Sequence, residues 1–188
     1  MCRYKKIDLE NWCRKEHYLY YTNSLNVEVN MTANIDVSEL LSFCHTNGYK
    51  FYPTLIYCVT KVLNRIENFK MFKDKNGDLC VWDSLVPNYT ILELGKTKRG
   101  IKVKSGQPAN FYCVSCTPWT TFTAVSSRMV NGGAAFFPII TAGKYDDNYQ
   151  MPVNITIAHA VADGYHIGLF FEYLQKEISK EYLNSNLE

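Results

Sequence analysis

The stretch Ile157-Ala158-His159-Ala160-Val161-Ala162-Asp163-Gly164-Tyr165-His166 decides how the C-terminal part of this chain folds. Before it, residues 153–157 alternate apolar and polar side chains, which indicates a β-strand. After it, apolar side chains recur at helical spacing from Ile167 to Ile178, which indicates an amphipathic helix. The pattern predicts a strand that ends at His159, a turn at Asp163-Gly164 and a helix beyond the turn.

His159 has the clearest chemical use in this stretch. An imidazole changes charge near neutral pH, so a positioned one can take a proton from a substrate hydroxyl. The neighbours Ala158, Ala160 and Ala162 leave room around the ring. A single histidine is more often a core residue bonded to the backbone. The pattern His-x-x-x-Asp-Gly at a strand-to-helix junction favours a chemical role instead.

The residues from His159 to His166 resemble the His-x-x-x-Asp-Gly signature of the chloramphenicol acetyltransferase family. Lipoamide acyltransferase cores have a similar signature, but no lipoyl domain or linker precedes the fold here, which disfavours that family. Five further blocks resemble landmarks of the chloramphenicol acetyltransferases, in that family's order. They are Asn11-Trp12-Cys13-Arg14-Lys15-Glu16-His17-Tyr18, Tyr49-Lys50-Phe51-Tyr52-Pro53, Val81-Trp82-Asp83-Ser84, Ser115-Cys116-Thr117-Pro118-Trp119 and Pro138-Ile139-Ile140-Thr141.

The composition is that of a globular protein. With 188 residues the chain fits one domain over residues 1–188, enough to bury roughly 70% of its unfolded surface. A net charge of +2 does not indicate a nucleic-acid partner, and no apolar run is long enough to cross a membrane. Seven cysteines at irregular spacing do not suggest a disulfide framework. We therefore expect a cytoplasmic protein with free thiols.

The N-terminal part predicts a helix over residues 8–21 and a strand over residues 27–36 that has one buried and one wet face. Asp36 or Ser38 caps a short helix that ends near Gly48. Pro53 suits the first position of the next helix. The apolar face of that helix consists of Ile56, Val59, Val62, Leu63 and Ile66.

The remainder predicts mainly short strands. Asn76-Gly77 indicates a hairpin turn between Phe72 and Val81. Further strands are expected over residues 86–92, 136–143 and 149–158, with a turn at residues 146–148. Short strands mixed with a few helices predict the α/β class, as an α+β two-layer sandwich built on a mixed sheet.

Two short motifs are rejected as sites. Gly95-Lys96-Thr97 lacks the earlier glycine of a phosphate-binding loop, because that position is Thr90. The pair Cys113 and Cys116 has no second pair of metal ligands, and residues three apart in a strand point to opposite faces. No metal site is expected.

The resemblance implies four catalytic residues. His159 is expected to act as the general base, and Ser115 as a hydroxyl donor to the tetrahedral intermediate. Without the resemblance, Ser115 would be an ordinary strand serine. Arg14 is expected to pair with Asp163 by a charge-assisted contact that can be bidentate, and so to hold the histidine loop.

The resemblance also implies binding residues and an assembly. Tyr20 and Tyr21 border the acceptor pocket, and Thr141 orders a bound water. Trp119 and Tyr145 line the channel for acetyl-CoA, the expected co-substrate. The family forms homotrimers in which a site lies between subunits, so the same assembly is expected here.

The implied activity is transfer of an acetyl group from acetyl-CoA to a hydroxyl of chloramphenicol. Two features depart from the family: the segment 92–107 is short, and residues 26–29 lack the family's proline, cysteine and aromatic pattern. Either the acceptor pocket is built differently, or a segment is missing from the sequence. An acetyltransferase for another hydroxylated small molecule, and a non-catalytic trimeric binding protein, stay open as alternatives.

Overall fold

A computed structural model describes residues 3–89, 109–127 and 133–185. The strands are β1 Tyr4–Lys6, β2 Glu28–Asp36, β3 Met71–Lys73, β4 Leu79–Trp82, β5 Val86–Tyr89, β6 Phe111–Cys116, β7 Ile139–Ala142 and β8 Gln150–Ala158. The helices are α1 Lys15–Asn23, α2 Ser38–Asn47, α3 Phe51–Arg65, α4 Gly164–Glu177 and α5 Lys180–Ser185, with a 3₁₀ turn at Glu67–Lys70.

The main sheet has five strands in the order β2-β8-β7-β6-β5. It is mixed, because β5, β6 and β7 run parallel while β8 runs antiparallel to both of its neighbours. A second, three-stranded sheet has the order β1-β4-β3 and is antiparallel throughout. Helices α3 and α4 pack together, and their buried residues share one core with those of the main sheet. This architecture confirms the predicted fold class.

Strand β8 lies between β2 and β7 and is buried along almost its whole length. All its residues from Met151 to Ala158 are buried, the polar ones included. On one face, Val153, Ile155 and Ile157 belong to the apolar core. The other face carries Asn154, whose amide donates to Asn30 Oδ1 at 2.6 Å and to Thr32 Oγ1 at 3.0 Å. The alternation in β8 therefore places apolar side chains in the core on one face of the strand and buried, hydrogen-bonded polar side chains on the other.

Helix α1 begins at Lys15, so the prediction of a helix from residue 8 is wrong at its start. Asn11 donates its side-chain amide to Asp8 at 2.6 Å, and this local bond favours a turn over a helix. Trp12 and Arg14 consequently precede the helix. Helix α3 begins at Phe51, two residues before the predicted start at Pro53, which still lies in the first turn, where a proline costs no hydrogen bond.

Strand β2 matches its prediction in extent but not in burial. Ile35 is its only buried residue, because β2 lies at the edge of the sheet. The N-cap residue of α2 is Val37, which has no side-chain cap bond, so the prediction that Asp36 or Ser38 caps the helix is wrong. Asp36, one residue earlier, still accepts from the backbone N–H of Ser38 at 2.9 Å. Gly48 ends the helix at φ +69°, as predicted.

The hairpin of β3 and β4 is confirmed, with Gly77 at φ +84° in its turn. Strand β7 begins at Ile139 rather than at residue 136, and β8 matches its predicted extent to one residue. Strand β1 is an addition that the sequence pattern did not predict. Residues 90–92 of the predicted strand, and the rest of the segment 92–107, lie outside the described residues.

Candidate active site

The backbone of His159 is held on both sides at the point where β8 ends. Its N–H donates to the carbonyl of Val27 at 2.8 Å, just beyond the paired residues of β2. Its carbonyl lies 2.8 Å from Nε2 of His17, on α1. A carbonyl can only accept, so this bond requires the proton of His17 on Nε2. The chain leaves the sheet here with little freedom to shift.

The His159 ring is stacked against α1. Its centroid lies 4.0 Å from that of Tyr21, with the two rings 15° from parallel, and 5.1 Å from that of His17. Within the described part of the chain, its buried Nδ1 atom has no hydrogen-bond partner. In the described part of the chain, the imidazole is thus fixed by ring packing and by its backbone bonds.

Asp163 joins the histidine loop to both neighbouring helices. It is the N-cap of α4, and its Oδ1 accepts from the backbone N–H of Tyr165 at 3.0 Å. The same oxygen lies 2.8 Å from Nδ1 of His166. Its Oδ2 accepts from Nη1 of Arg14 at 2.7 Å. The two side chains of this ion pair are only 20% and 26% exposed.

Burial raises the pKa of Asp163, but hydrogen bonds from Arg14 and His166 and their charges outweigh it and hold that pKa well below its ordinary value. The carboxylate is therefore ionised at neutral pH. An ionised N-cap is also favoured by the partial positive charge of the helix N-terminus.

Arg14 contacts Asp163 through one N–H, so the charge-assisted contact is present in its single-bond form and not in the bidentate one. Its Nε and Nη2 are buried, and the residues that the structure describes supply no partner for either. Arg14 stands directly before α1. One short segment therefore supplies Arg14, His17 and Tyr21 to the same cluster. We call Arg14, His17, Tyr21, His159 and Asp163 the histidine cluster.

Ser115 and Thr141 lie elsewhere in the chain. Ser115 pairs with Thr141 across β6 and β7, Thr141 pairs with Asn154, and Asn154 pairs with Thr32. Paired residues point to the same face of a sheet, so these four polar side chains form one row, here called the serine row. Asn154 is buried and Ser115 is exposed.

The serine row is distant from His159 within one chain. His159 lies five positions after Asn154, about 17 Å along the strand direction, and Ser115 lies two strands further, about 10 Å across the sheet. One chain therefore does not bring Ser115 to its own His159.

Three aromatic residues with expected binding roles lie at the surface. Trp119 is 72% exposed, and Tyr145 is 37% exposed with its ring 6.1 Å from that of Phe51. The loops that carry them are joined by a bond of 2.8 Å from the N–H of Lys144 to the carbonyl of Thr120. Tyr20 lies next to Tyr21, with ring centroids 5.2 Å apart.

Sequence reasoning gave no site role to His17 or His166, yet both hold the histidine loop. His17 and Tyr21 are four residues apart and share a face of α1, which is a usable signal once the helix is placed. His166 is the third residue of α4, where a polar side chain often completes a cap. Among residues 3–89, 109–127 and 133–185, no group of three or more His, Cys, Asp or Glu side chains could hold a metal ion.

Solved structures share this fold. A chloramphenicol acetyltransferase superposes with a TM-score of 0.79 at 22% identity, and the match covers 95% of this chain and 99% of the other. The cubic core of the pyruvate dehydrogenase multienzyme complex superposes with a TM-score of 0.64 at 14% identity, covering 95% and 91%. These two superpositions define the fold class that the chain shares with both structures. In the described residues, no helix has the length and apolar character needed to span a membrane.

Sequence relatives narrow the class to a family. The sequence model of chloramphenicol acetyltransferase matches residues 2–99 and 93–175. The chloramphenicol acetyltransferase of Clostridium perfringens is 34% identical over 212 positions, which cover 96% of each chain. That of Staphylococcus aureus is 34% identical over 205 positions, covering 92% of this chain and 94% of the relative. The chain belongs to the chloramphenicol acetyltransferase family, as its motifs predict.

The same comparisons locate a difference in length. The alignment with the Clostridium perfringens enzyme has 212 positions, more than the 188 residues of this chain, so the relative carries residues that this chain lacks. The two pieces matched by the family model meet at residues 93–99, inside the segment 92–107. The match to the family model is therefore divided within the segment where the sequence departs from the family.

Proposed function

We propose that this protein is an acetyl-CoA-dependent O-acetyltransferase that acetylates a hydroxyl of chloramphenicol and so inactivates the antibiotic. The observation that carries the proposal is the match to chloramphenicol acetyltransferases along 96% of both chains. The histidine cluster supports it, because it holds one imidazole rigidly at the edge of the fold. A positioned imidazole can serve as a general base.

His159 is the proposed base. The acceptor hydroxyl gives its proton to the imidazole while its oxygen attacks the thioester carbonyl of acetyl-CoA. The resulting tetrahedral oxyanion collapses, the C–S bond breaks, and the CoA sulfur leaves and takes up the proton. The thioester is already activated, so no covalent enzyme intermediate is needed. Ser115 donates a hydrogen bond to the oxyanion, a contribution whose loss typically costs about 10²–10³ in rate.

Arg14 and Asp163 are proposed to orient the histidine loop without transferring protons. Asp163 fixes the start of α4, and Arg14 ties that point to α1. Tyr21 on α1 also stacks on the ring of His159. The ion pair of Arg14 and Asp163 therefore fixes both the loop that carries the proposed base and the helix against which the base packs.

A homotrimer with sites between subunits is part of the proposal. His159 and Ser115 both serve the reaction, but the strand geometry separates them by well over 15 Å in one chain. An exposed Ser115 next to the His159 of a neighbouring subunit would resolve that separation. In this arrangement Tyr20 and Tyr21 border the acceptor, Thr141 orders a water, and Trp119 and Tyr145 line the CoA channel.

A cytoplasmic location is also proposed. The six cysteines in the described residues are all free, in accord with a reducing compartment. Five of them lie in strands or helices of the fold: Cys44, Cys58, Cys80, Cys113 and Cys116.

The direct test is release of free CoA, measured with a thiol reagent, on addition of chloramphenicol and of a small panel of other alcohols. We expect release with chloramphenicol, together with the mass of the acetylated product. Turnover of another alcohol and none of chloramphenicol would favour the second candidate, an acetyltransferase of this fold with a different acceptor. One observation favours this second candidate: the relative from Clostridium perfringens carries residues that this chain lacks.

The acceptor is expected to saturate poorly. A pocket with a missing wall leaves part of its ligand exposed, which weakens binding by roughly 25 cal/mol for each Å² of apolar surface. We therefore predict a high KM for chloramphenicol and an ordinary KM for acetyl-CoA. Initial rates with each substrate varied in turn give both constants, and tight chloramphenicol saturation would show that the short segment does not weaken the pocket.

A further inference from the structure

Residues Gly133, Ala134 and Ala135 cross the end of β8 beside His159. The carbonyl of Ala135 accepts from the backbone N–H of Ala158 at 2.7 Å. The next N–H, that of His159, points to the opposite edge of the strand and bonds to Val27 at 2.8 Å. Ala158, the last residue of β8, and His159, directly after it, are thus held by two different segments, residues 133–135 on one side and residues 26–28 on the other.

Two side chains tie these segments directly to each other. Oδ1 of Asn26 accepts from the backbone N–H of Ala134 at 3.0 Å, and Oε1 of Glu28 accepts from that of Ala135 at 3.1 Å. Glu28 pairs with Ala158 in the sheet, so both side chains lie on one face. The small methyl group of Ala158 leaves the path across β8 open to the carboxylate of Glu28.

The backbone is shaped for this approach on both sides. Asn26 has φ +46° and Gly133 has φ +79°, a region that asparagine and glycine tolerate better than other residues. A Cβ atom at Gly133 would lie 2.8 Å from Nδ2 of Asn26. The N–H of Asn26 also donates to the carbonyl of Tyr21 at 3.1 Å, which connects the contact to the ring that stacks on His159.

We propose that Asn26 and Glu28 are positioning residues for His159. Their side chains hold residues 133–135 against the end of β8, and this latch fixes the backbone from which the imidazole projects. The latch consists of Asn26, Glu28 and residues 133–135. Its effect on turnover rests on the proposed role of His159 as the general base, but its effect on the position of His159 does not.

The test uses paired variants of the full-length enzyme. Glu28→Ala and Asn26→Gly remove the acceptor oxygens, and Asn26→Gly keeps a residue suited to positive φ. Glu28→Gln and Asn26→Asp keep an acceptor oxygen at each position. The double variant Asn26→Gly/Glu28→Ala should lose about 10–10²-fold in kcat with the KM for acetyl-CoA unchanged, because small misplacements of reacting groups are costly. The conservative variants should recover most of kcat.

A second readout does not need turnover. The chain has four histidines, so an NMR spectrum of the protein with isotope-labelled histidine contains few signals. The signal that is absent in His159→Ala belongs to His159. We expect this signal to move in Glu28→Ala and to return in Glu28→Gln. Deuterium exchange at the amides of residues 134 and 135 should accelerate more than tenfold in the double variant. Glu67→Ala, which removes an exposed carboxylate paired with Lys5, is the control and should change neither.

An unmoved His159 signal in Glu28→Ala, or unchanged exchange in the double variant, would overturn the latch. So would a fall in kcat that Glu28→Gln does not restore. If the wild-type enzyme fails to acetylate chloramphenicol, the proposed acceptor is wrong, while the histidine spectrum and the exchange rates still decide whether the latch positions His159.

Discussion

The histidine cluster and the serine row are built in opposite ways. In the histidine cluster, His159 is bonded through its backbone on both sides and stacked on Tyr21, and the carboxylate of Asp163 is engaged by Arg14 and His166. In the serine row, Asn154 is buried and bonded to Thr32, while Ser115 at the other end is exposed. The contacts of the histidine cluster form within a single chain, whereas the serine row ends at Ser115, which is exposed to solvent.

This difference agrees with the roles that we propose for the two residues. A general base must be held at a fixed angle, and one chain holds His159 through its backbone and through the ring of Tyr21. An oxyanion donor must also be held in place, and we propose that the exposed Ser115 meets the reaction once a neighbouring subunit faces it. Substitutions in the two regions test this proposal, and the greatest loss of activity is expected at His159.

Replacing His159 with alanine should lower kcat by at least about 10²–10⁴, the usual contribution of a positioned base. CoA release under saturating substrate measures the effect, and the thermal unfolding midpoint checks that the fold is intact. His45→Ala, in the last turn of α2, is the matched control and should retain activity. Loss of activity on replacing His166 but not His159 would show that the base is misassigned.

Replacing Ser115 with alanine should lower kcat by about 10²–10³. If the site lies between subunits, mixing the inactive Ser115→Ala and His159→Ala subunits should restore activity. In a random mixture, about a quarter of the sites pair an intact His159 with an intact Ser115 from the neighbour. Activity in co-refolded mixtures measures this. Mixed trimers without recovered activity would place both residues in one chain's site.

Arg14 and Asp163 should be coupled. Asp163→Asn keeps a good helix cap but loses the charge, and Arg14→Leu removes the other partner. We expect a coupling on the order of 0.5–3 kcal/mol in a double-mutant cycle of unfolding free energy, with non-additive losses in kcat. The exposed pair Lys5 and Glu67, at 66% and 51% exposure, is the control and should couple by about 1 kcal/mol or less. Strict additivity at Arg14 and Asp163 would count against the pair.

The smallest predicted effect is on the pH dependence of stability. The pKa of Asp163 is lowered in the folded state, so its stabilisation is present above the unfolded pKa, near 4, and is lost as the pH falls below it. The difference in unfolding free energy between the wild type and Asp163→Asn should therefore be largest at neutral pH and shrink at pH 3. A difference that stays constant from pH 7 to pH 3 would contradict the assignment.

Local patterns predicted the part of the site that is local in sequence. The alternation in β8 and the helical spacing of α4 placed His159 at the end of a strand and Asp163 at the start of a helix. This was possible because the spacing of apolar residues in each element reflects which of its faces is buried. The family resemblance, not periodicity, linked Arg14 to Asp163, which lies 149 residues away. No spacing rule joins residues so far apart.

The missed features are contacts to backbone atoms. His17 bonds to the carbonyl of His159, and Asn26 and Glu28 bond to amides of residues 134 and 135. Nearly every residue has backbone atoms that can form such bonds, so the sequence does not indicate which residue is bonded to these side chains. Strand β1 was missed for a related reason: its three residues are exposed and carry no apolar alternation.

The buried side-chain amide of Asn154 helps to select the register in which β2 and β8 pair during folding. A slip of one residue would turn Asn154 toward the apolar core and leave Asn30 and Thr32 without their partner. An unsatisfied buried amide costs about 1–3 kcal/mol, enough to make the slipped pairing a minor species. Because His159 lies on the same strand, selection of the correct pairing also determines where its imidazole emerges from the sheet.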